Sequence, residues 1–239
     1  MRVVDGDAVA DEEAGGQRDG AAHQRVRDAL RAEIMRGDLV PGQRLVEADL
    51  AESYQATRGS VRSALIDLAG EGLVERIQHR GARVRVVTLA EAIEITECRM
   101  VLEGLCAAKA AERISTAEAA ELTGIIRAMR AAVDTGDVLA YSDLNERLHR
   151  RIRQISGQQT AAQTIERLRG QFVRHQFRLA LRPGRPAVSI LEHTRLVEAI
   201  VSGDAGLAEI TMRAHLRSVI DALNASTPSA SPPGGPGHG

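Results

Sequence analysis

The chain has 239 residues, and its 31 lysines and arginines nearly balance 32 aspartates and glutamates, for a formal net charge of −1. A hydrophobic content of 44% is enough to build a core, which excludes a chain that is disordered throughout. Aromatic residues make up only 2% and tryptophan is absent, so leucine, isoleucine, valine and alanine must form that core. This mix favours packed helices over a β-sandwich.

From the sequence we expect neither membrane insertion nor secretion. Its apolar runs are shorter than the roughly 20 residues that a membrane-spanning helix needs, and its first residues lack the apolar segment of a signal peptide. Cys98 and Cys106 fall in one predicted helix, where about 1.5 Å per residue puts them roughly 12 Å apart, too far for a disulfide. We therefore expect a cytoplasmic protein with reduced cysteines and no membrane association.

Charge is unevenly distributed along the chain. Residues 1–22 hold six acidic residues against two arginines, whereas residues 58–85 hold six arginines against three acidic residues. A basic segment of this kind is typical of nucleic-acid binding, although a solvated helix face has the same composition. Residues 1–22 are rich in glycine and acidic residues, and residues 225–239 in serine, proline and glycine. We predict that both are disordered tails.

Residues 23–87 predict three helices followed by a β-hairpin. Apolar residues recur at helical spacing in three stretches, separated by glycine, proline and polar residues. These are Val26, Leu30 and Ile34, then Val46, Leu50 and Ala51, and then Val61, Leu65 and Leu68. Two β-like runs follow, at 73–74 and 82–87, around a basic turn at 78–81. This order is that of a winged helix–turn–helix, although the pattern alone leaves open a helical domain that binds nothing.

Residues 88–224 predict an all-α bundle of about six helices. Two capping boxes, Thr88 with Glu91 and Ser115 with Glu118, mark helix starts. Apolar stripes at helical spacing follow each start, and glycine, proline and aspartate separate the stripes. The predicted fold class is therefore mainly α, with an N-terminal winged helix–turn–helix of three helices and a β-hairpin wing, joined to a helical bundle.

Several short segments of both halves match motifs that occur together in one known family. In the first half they are 41–45, 49–52, 57–65, 71–74 and 80–82, and in the second half 97–104, 145–149, 192–193 and 212–216. In this combination and order, the sequence resembles GntR-family transcription regulators of the FadR/FCD branch. The resemblance spans residues 23–224 and implies a DNA-binding domain followed by a helical effector-binding and dimerisation domain.

The resemblance implies a set of DNA contacts in the first domain. Arg58 and Arg62 lie four residues apart on the recognition helix, so they share a face, and arginine can bind guanine O6 and N7 bidentately. Further contacts are expected from Thr57 and Ser60 to phosphates, from Arg44 to the backbone, and from Arg80 and Gly81 to the minor groove. Ala48 stands where the family often has arginine, so one expected contact is missing.

Three histidines on three predicted helices, His149, His193 and His215, are candidate metal ligands. Spacing alone favours separate histidines bonded to carbonyls, but the resemblance implies that they bind a divalent metal ion, Zn²⁺, Ni²⁺ or Mn²⁺, together with Asn145. Asn145 replaces the commoner aspartate, and its neutral amide oxygen is a weaker ligand. We therefore expect metal occupancy to rise when an anionic effector is present.

Two further residues are candidates for binding the effector. The resemblance directs Arg99 into the effector cavity, where its guanidinium would bind a carboxylate. The alternative is an ion pair with Glu103, one helical turn away on the same face. His175 is a second candidate for the cavity lining.

These features predict a regulator and not an enzyme. The protein should bind a pseudo-palindromic operator as a homodimer, since two recognition helices then need a twofold axis. A small carboxylate in the bundle should release it from DNA, as for most of the family, which represses. The alternatives are a helical-bundle metalloenzyme that uses His149, His193 and His215, and an architectural DNA-binding protein without an effector.

Overall fold

The computed structural model describes the backbone of residues 7–77, 81–180 and 182–225, and the side chains of 20–77, 81–170, 179 and 182–225. These residues form nine helices and three short strands. In chain order they are α1 (Asp7–Arg36), β1 (Arg44–Leu45), α2 (Glu47–Ser53), α3 (Arg58–Gly70), β2 (Val74–Ile77), β3 (Gly81–Val84), α4 (Leu89–Arg113), α5 (Thr116–Thr135), α6 (Val138–Ser156), α7 (Gln159–Ala180), α8 (Arg185–Val201) and α9 (Ala205–Asn224). The predicted fold class is confirmed.

The chain divides into two compact units with a boundary between Val87 and Thr88. The boundary lies where the sequence changes from helices and β-like runs to helices alone. One segment departs from this division, because Glu166–Arg174 of α7 belongs with the first unit. Within the described parts of both units, no helix combines the length and the apolar character needed to cross a bilayer.

In the first unit, α1 packs on α3, and a small antiparallel sheet covers the same core. Val26 and Leu30 of α1 and Val61 and Leu68 of α3 are completely buried, which accounts for the four-residue spacing of the apolar stripes. The strand order is β1-β3-β2. The sequence did not predict β1, because a two-residue strand is too short to show an alternating pattern.

In the second unit, α4 packs along α9, and α6 and α8 contact α4. The apolar stripes that the sequence showed meet in one core, whose completely or nearly completely buried members include Leu122, Met129, Leu148, Leu196 and Met212. Both predicted capping residues are confirmed: Thr88 Oγ1 accepts a hydrogen bond from Glu91 N at 3.2 Å, and Ser115 forms the full reciprocal box with Glu118.

The N-terminal boundary differs from the prediction. Residues 7–22 lie in α1, which begins at Asp7, whereas the sequence predicted a disordered tail over 1–22. The segment can be helical without an apolar period because later turns anchor the helix, where Val26 and Leu30 are buried, and a formed helix propagates at little cost. Acidic residues near the start also favour a helix N-terminus. Residues 226–239 of the predicted C-terminal tail lie outside the described residues.

The fold itself requires glycine at position 81, which is also a predicted minor-groove contact. Its φ is +88°, and a Cβ built there would lie 2.8 Å from the carbonyl oxygen of Leu45. The pairing of β3 with β1 therefore requires glycine at this position, whatever else Gly81 contacts. Arg80, the other predicted wing contact, lies outside the described residues.

Replacing Gly81 by alanine should destabilise the first unit more than the same change at Gly37. Gly37 has a similar φ of +84° but open space around the position of a Cβ, so Gly37→Ala adds only backbone strain. We expect Gly81→Ala to cost about 1–3 kcal/mol more than this control, measured as the free energy of unfolding in urea. Equal costs for the two variants would contradict the close approach of β1 and β3.

Candidate nucleic-acid interface and candidate metal centre

Helix α3 presents two arginines at the surface of the first unit. It begins at Arg58, directly after Thr57, whose Oγ1 accepts a hydrogen bond from Ser60 N at 3.0 Å and so caps the helix. Arg58 and Arg62 are exposed, and their four-residue spacing places both side chains on one face of α3. The face that the sequence assigned to base reading is therefore accessible in this structure.

Ser60 does not lie on that face. Its side chain is buried, with 2% of its surface exposed, and its Oγ lies 3.0 Å from Thr57 Oγ1. In this structure the Ser60 hydroxyl belongs to the helix cap and is not exposed at the surface where the sequence predicts its phosphate contact. Periodicity places Ser60 next to Val61 and Ala64, which are buried against the sheet and α1.

A surface cleft of about 410 Å³ lies between the start of α2, α3 and the sheet. Arg44, Arg62 and Arg76 line it, together with Gly81 and one carboxylate, Glu47. Sequence reasoning chose Arg44, Arg62 and Gly81 but missed Glu47 and Arg76. Glu47 carries no motif of its own, and only the fold brings the start of α2 against the second turn of α3.

Arg62 forms an ion pair with Glu47 across this cleft. Arg62 Nε donates to the two carboxylate oxygens at 3.2 and 3.1 Å, and Nη2 donates to Oε2 at 2.7 Å. This hydrogen bond and the nearby charges of Arg62, Arg76 and Arg58 hold the pKa of Glu47 below its ordinary value, so Glu47 is ionised at neutral pH.

In the second unit, the three predicted histidines converge in the core of the bundle. His149 on α6, His193 on α8 and His215 on α9 each have at most 4% of their surface exposed, and one ring nitrogen of each lies within 4.8 Å of the others. His149 Nε2 and His193 Nε2 are 3.3 Å apart. Buried apolar neighbours on each helix, such as Leu148 and Leu216, turn these imidazoles inward.

Buried acceptors determine which ring nitrogen of two histidines points to the centre. His149 Nδ1 donates to Glu103 Oε2 at 2.7 Å, and His215 Nδ1 donates to Glu192 Oε2 at 2.7 Å. A carboxylate oxygen can only accept, so the lone pair of each ring is on Nε2. The histidine–carboxylate pairs are the usual outer partners of histidines that bind a metal ion, and this donor set fits one.

His193 is held by hydroxyl groups instead of a carboxylate. The Tyr141 hydroxyl and Ser189 Oγ lie 3.5 and 3.4 Å from its Nδ1. Burial lowers the pKa of His193 well below its ordinary range, and it also lowers the pKa of His215, although the bond to Glu192 acts in the opposite direction. Both rings are therefore neutral at pH 7, which is the form that binds a metal.

Glu192 is the centre of a second hydrogen-bond network behind His215. Arg185 donates to both its carboxylate oxygens, at 3.3 and 3.1 Å, and Ser218 Oγ donates to Oε1 at 2.5 Å. Burial raises the pKa of Glu192, but the bonds from His215 and Ser218 and the charge of Arg185 outweigh it, and the pKa stays below its ordinary value. An ionised Glu192 keeps His215 in one orientation.

In the structure, Arg99 forms the ion pair with Glu103 that the sequence offered as the alternative to effector binding. This side chain is 4% exposed, and its Nε and Nη2 donate to Glu103 Oε1 at 2.9 and 2.7 Å. Glu103 therefore joins Arg99 to His149, one carboxylate oxygen to each. Asn145 is half-buried on α6, one turn before His149 on the same face. The side chain of His175, the other predicted effector ligand, lies outside the described residues.

Sequence reasoning missed the carboxylates that hold the imidazoles. Glu103 was considered only as a partner of Arg99, and Glu192 only as the neighbour of His193 in a motif. Two signals were present: Glu103 lies four residues after Arg99, and a glutamate directly precedes a candidate ligand. Neither signal shows which histidine each carboxylate meets, since Glu192 contacts His215 on another helix and not its neighbour His193.

Comparison with known proteins identifies both units. Residues 22–84 match the family described as "Bacterial regulatory proteins, gntR family", and residues 94–218 match the FCD domain. This chain is a GntR-family transcriptional regulator. Its FCD match covers the α4–α9 helices that carry the three histidines, and its GntR match covers α3 and the sheet.

Relatives of this regulator match over most of its length. An uncharacterized HTH-type transcriptional regulator from Streptomyces ambofaciens is 33% identical over 195 residues, 80% of each chain. The HTH-type transcriptional repressor RspR of Escherichia coli is 24% identical over 201 residues, 84% of this chain and 88% of that one. The structure of E. coli McbR/YncC superposes with a TM-score of 0.73 at 23% identity, over 85% of this chain and 97% of that one, and shows the same fold.

The GntR family consists of transcriptional regulators that bind DNA operators, commonly as dimers, and not of enzymes. The prediction that this regulator is not an enzyme is therefore confirmed, and a metalloenzyme built on His149, His193 and His215 is excluded as its function. The resemblance that the sequence motifs indicated is also confirmed.

Replacing Glu103 by glutamine should destabilise the bundle, because it removes the negative charge that bonds to two buried side chains, Arg99 and His149. We expect a loss of about 3–5 kcal/mol in the free energy of unfolding, the usual cost of breaking a buried ion pair. Glu112→Gln is the matched control on the same helix, since Glu112 pairs with Lys109 at the surface and should cost less than about 1 kcal/mol. Chemical denaturation of both variants followed by circular dichroism measures the difference; similar losses would contradict the bridging role of Glu103.

Proposed function

We propose that this regulator represses transcription by binding a pseudo-palindromic operator as a homodimer, and that a small organic acid in the FCD bundle releases it. The proposal rests on the presence of two features in one chain. The first is an exposed face of α3 that carries two arginines, and the second is the set of three buried, converging imidazoles in the other unit. Repression is supported by the relative RspR, which is a transcriptional repressor. Such a protein works in the cytoplasm, where its operator is.

On DNA, the face of α3 that carries Arg58 and Arg62 enters the major groove, and each guanidinium binds a guanine. Arg44, which is exposed at the cleft beside α3, contacts the phosphate backbone. Thr57 lies at the exposed start of the helix and contacts a phosphate next to Arg58. The wing supplies Arg80 and Gly81 to the minor groove.

In the bundle, the Nε2 atoms of His149 and His215, a ring nitrogen of His193 and the amide oxygen of Asn145 hold a divalent cation, Zn²⁺, Ni²⁺ or Mn²⁺. When bound, the ion would supply a positive centre for a carboxylate. Nitrogen ligands and an amide oxygen bring no negative charge to such an ion, so the site favours an anionic ligand. An organic acid therefore suits this site as the effector.

Arg99 is proposed to serve the effector site through Glu103. The Arg99 guanidinium neutralises the Glu103 carboxylate, and this carboxylate orients His149. An anionic effector near Arg99 would alter the Arg99–Glu103 pair and, through it, the proposed metal ligand His149. His175 remains a proposed second contact of the effector. If effector binding lowers operator affinity, operator binding lowers effector affinity by the same factor.

Arg58→Ala should weaken binding to the specific operator by about 1–3 kcal/mol and binding to random duplex much less, because a base contact carries sequence information and a phosphate contact does not. Arg127→Ala is the control, since Arg127 is exposed on α5 in the other unit and its loss changes the net charge equally. Fluorescence anisotropy on both duplexes at fixed salt measures the two affinities. Equal losses on both duplexes would show that Arg58 does not read sequence.

Metal-depleted protein should bind one Zn²⁺, Ni²⁺ or Mn²⁺ ion per chain in a calorimetric titration. His193→Ala should abolish this binding because it removes a buried nitrogen ligand, whereas His23→Ala, a histidine of the first unit that contacts Asp67, should leave it intact. Asn145→Asp should tighten it by adding a charged ligand.

Adding candidate organic acids to the metal titration tests the role of the effector. A matching acid should raise metal affinity in the wild type and raise it less in Asn145→Asp, where the carboxylate already supplies the charge. A titration without heat from any of the three metals, with or without acids, would remove the metal from the proposed function.

A further inference from the structure

The Glu47–Arg62 pair has a geometry that bears on sequence recognition. We propose that Glu47 is a positioning residue for DNA reading: its carboxylate holds the side edge of the Arg62 guanidinium so that the remaining edge faces the base pairs. The inference rests on the proposed contact of Arg62 with a base. It assigns a role in specificity to a residue of α2 that does not itself need to touch DNA.

The contacts leave Arg62 one complete binding edge. A guanidinium has a side edge, made by Nε and one Nη, and an end edge, made by the two Nη atoms, and either edge can bind two acceptors. Glu47 occupies the side edge, through Nε at 3.2 and 3.1 Å and Nη2 at 2.7 Å. The end edge, with Nη1 and the second proton of Nη2, is directed away from Glu47 and matches the O6 and N7 acceptors of guanine.

Holding Arg62 in this way reduces the entropy that it loses on binding. The Arg62 side chain is 59% exposed, and an exposed arginine without such a partner samples many rotamers. Glu47 is only 24% exposed and is the first residue of α2, so it is the less mobile partner of the two. A guanidinium that is already oriented binds a correctly placed guanine with a smaller ordering cost.

The charges around the pair add a second effect on specificity. Arg44 and Arg76 line the same cleft, and they keep this surface attractive to DNA while Glu47 neutralises Arg62. A neutralised Arg62 gains less from a phosphate at an arbitrary position, whereas a guanine at the end edge still offers two hydrogen bonds. Glu47 therefore weakens binding to random DNA and strengthens discrimination.

The test compares affinity for two duplexes: one enriched by the full-length wild type from a random-sequence library, and one of random sequence. Glu47→Gln keeps the size of the side chain and removes its charge. We expect it to reduce the ratio of the two affinities by about tenfold, through weaker binding to the enriched duplex and unchanged or tighter binding to the random one. Glu47→Asp keeps the charge but shortens the side chain, so it should also reduce the ratio.

Glu75→Gln is the matched control. Glu75 pairs with Arg83 on the sheet through the same two donor atoms, Nε at 2.9 Å and Nη2 at 2.7 Å, so the variant makes the same charge change in the same unit. Its ratio should stay within twofold of the wild type. Circular dichroism of each variant verifies that it is folded before its affinities are compared.

A double-mutant cycle with Arg62→Ala separates the explanations. If Glu47 acts through Arg62, the double variant has the ratio of Arg62→Ala alone. If the losses in the affinity ratio are additive in the double variant, Glu47 contacts a base itself. If Glu47→Gln gains equal affinity for both duplexes, Glu47 only competes with DNA for Arg62. Either result overturns the proposal. If Arg62→Ala keeps the wild-type ratio, the proposed base contact of Arg62 fails, and the inference fails with it.

Discussion

Glu103 binds two buried groups at once, and the arrangement of the histidine cluster depends on it. Its two carboxylate oxygens accept from Arg99 on the same helix and from His149 on α6. A buried carboxylate without such partners would cost several kcal/mol, and the bonds from the arginine and the imidazole offset that cost. The bond to His149 Nδ1 also determines that Nε2 carries the lone pair, and so turns a core histidine into a potential ligand.

The same principle operates on the other side of the cluster with different residues. Glu192 accepts from His215, Ser218 and Arg185, so a second buried carboxylate orients a second imidazole. His193 is completely buried beside these two rings, with centroid distances of 5.3 Å to His149 and 4.3 Å to His215, and it is neutral because burial lowers its pKa. The bundle thus provides neutral nitrogen ligands inside a shell of charged pairs, which is a suitable environment for a cation and an anionic ligand together.

Much of the fold was predictable because its signals are local. Helical spacing of apolar residues indicated α1, α2, α3 and the six bundle helices, and the hydroxyl and glutamate of each capping box marked two helix starts within the sequence itself. The errors arose where packing decides. Residues 7–22 lack an apolar stripe but continue a helix that is anchored further along, and β1 exists only because its two residues pair with β3. Ser60 looks like a surface residue, yet the cap and the core of the first unit bury it.

The sequence by itself determined the family and the two-unit organisation, because these follow from residue types at characteristic spacings along the chain, and the resemblance to the family then singled out the three histidines. Only the tertiary structure decided which groups pair. Glu47 meets Arg62, Glu103 meets His149 and Glu192 meets His215 across different helices. The physical reason is that a hydrogen bond depends on the distance between atoms in space, and helices that are far apart in sequence approach each other only after their apolar faces have packed.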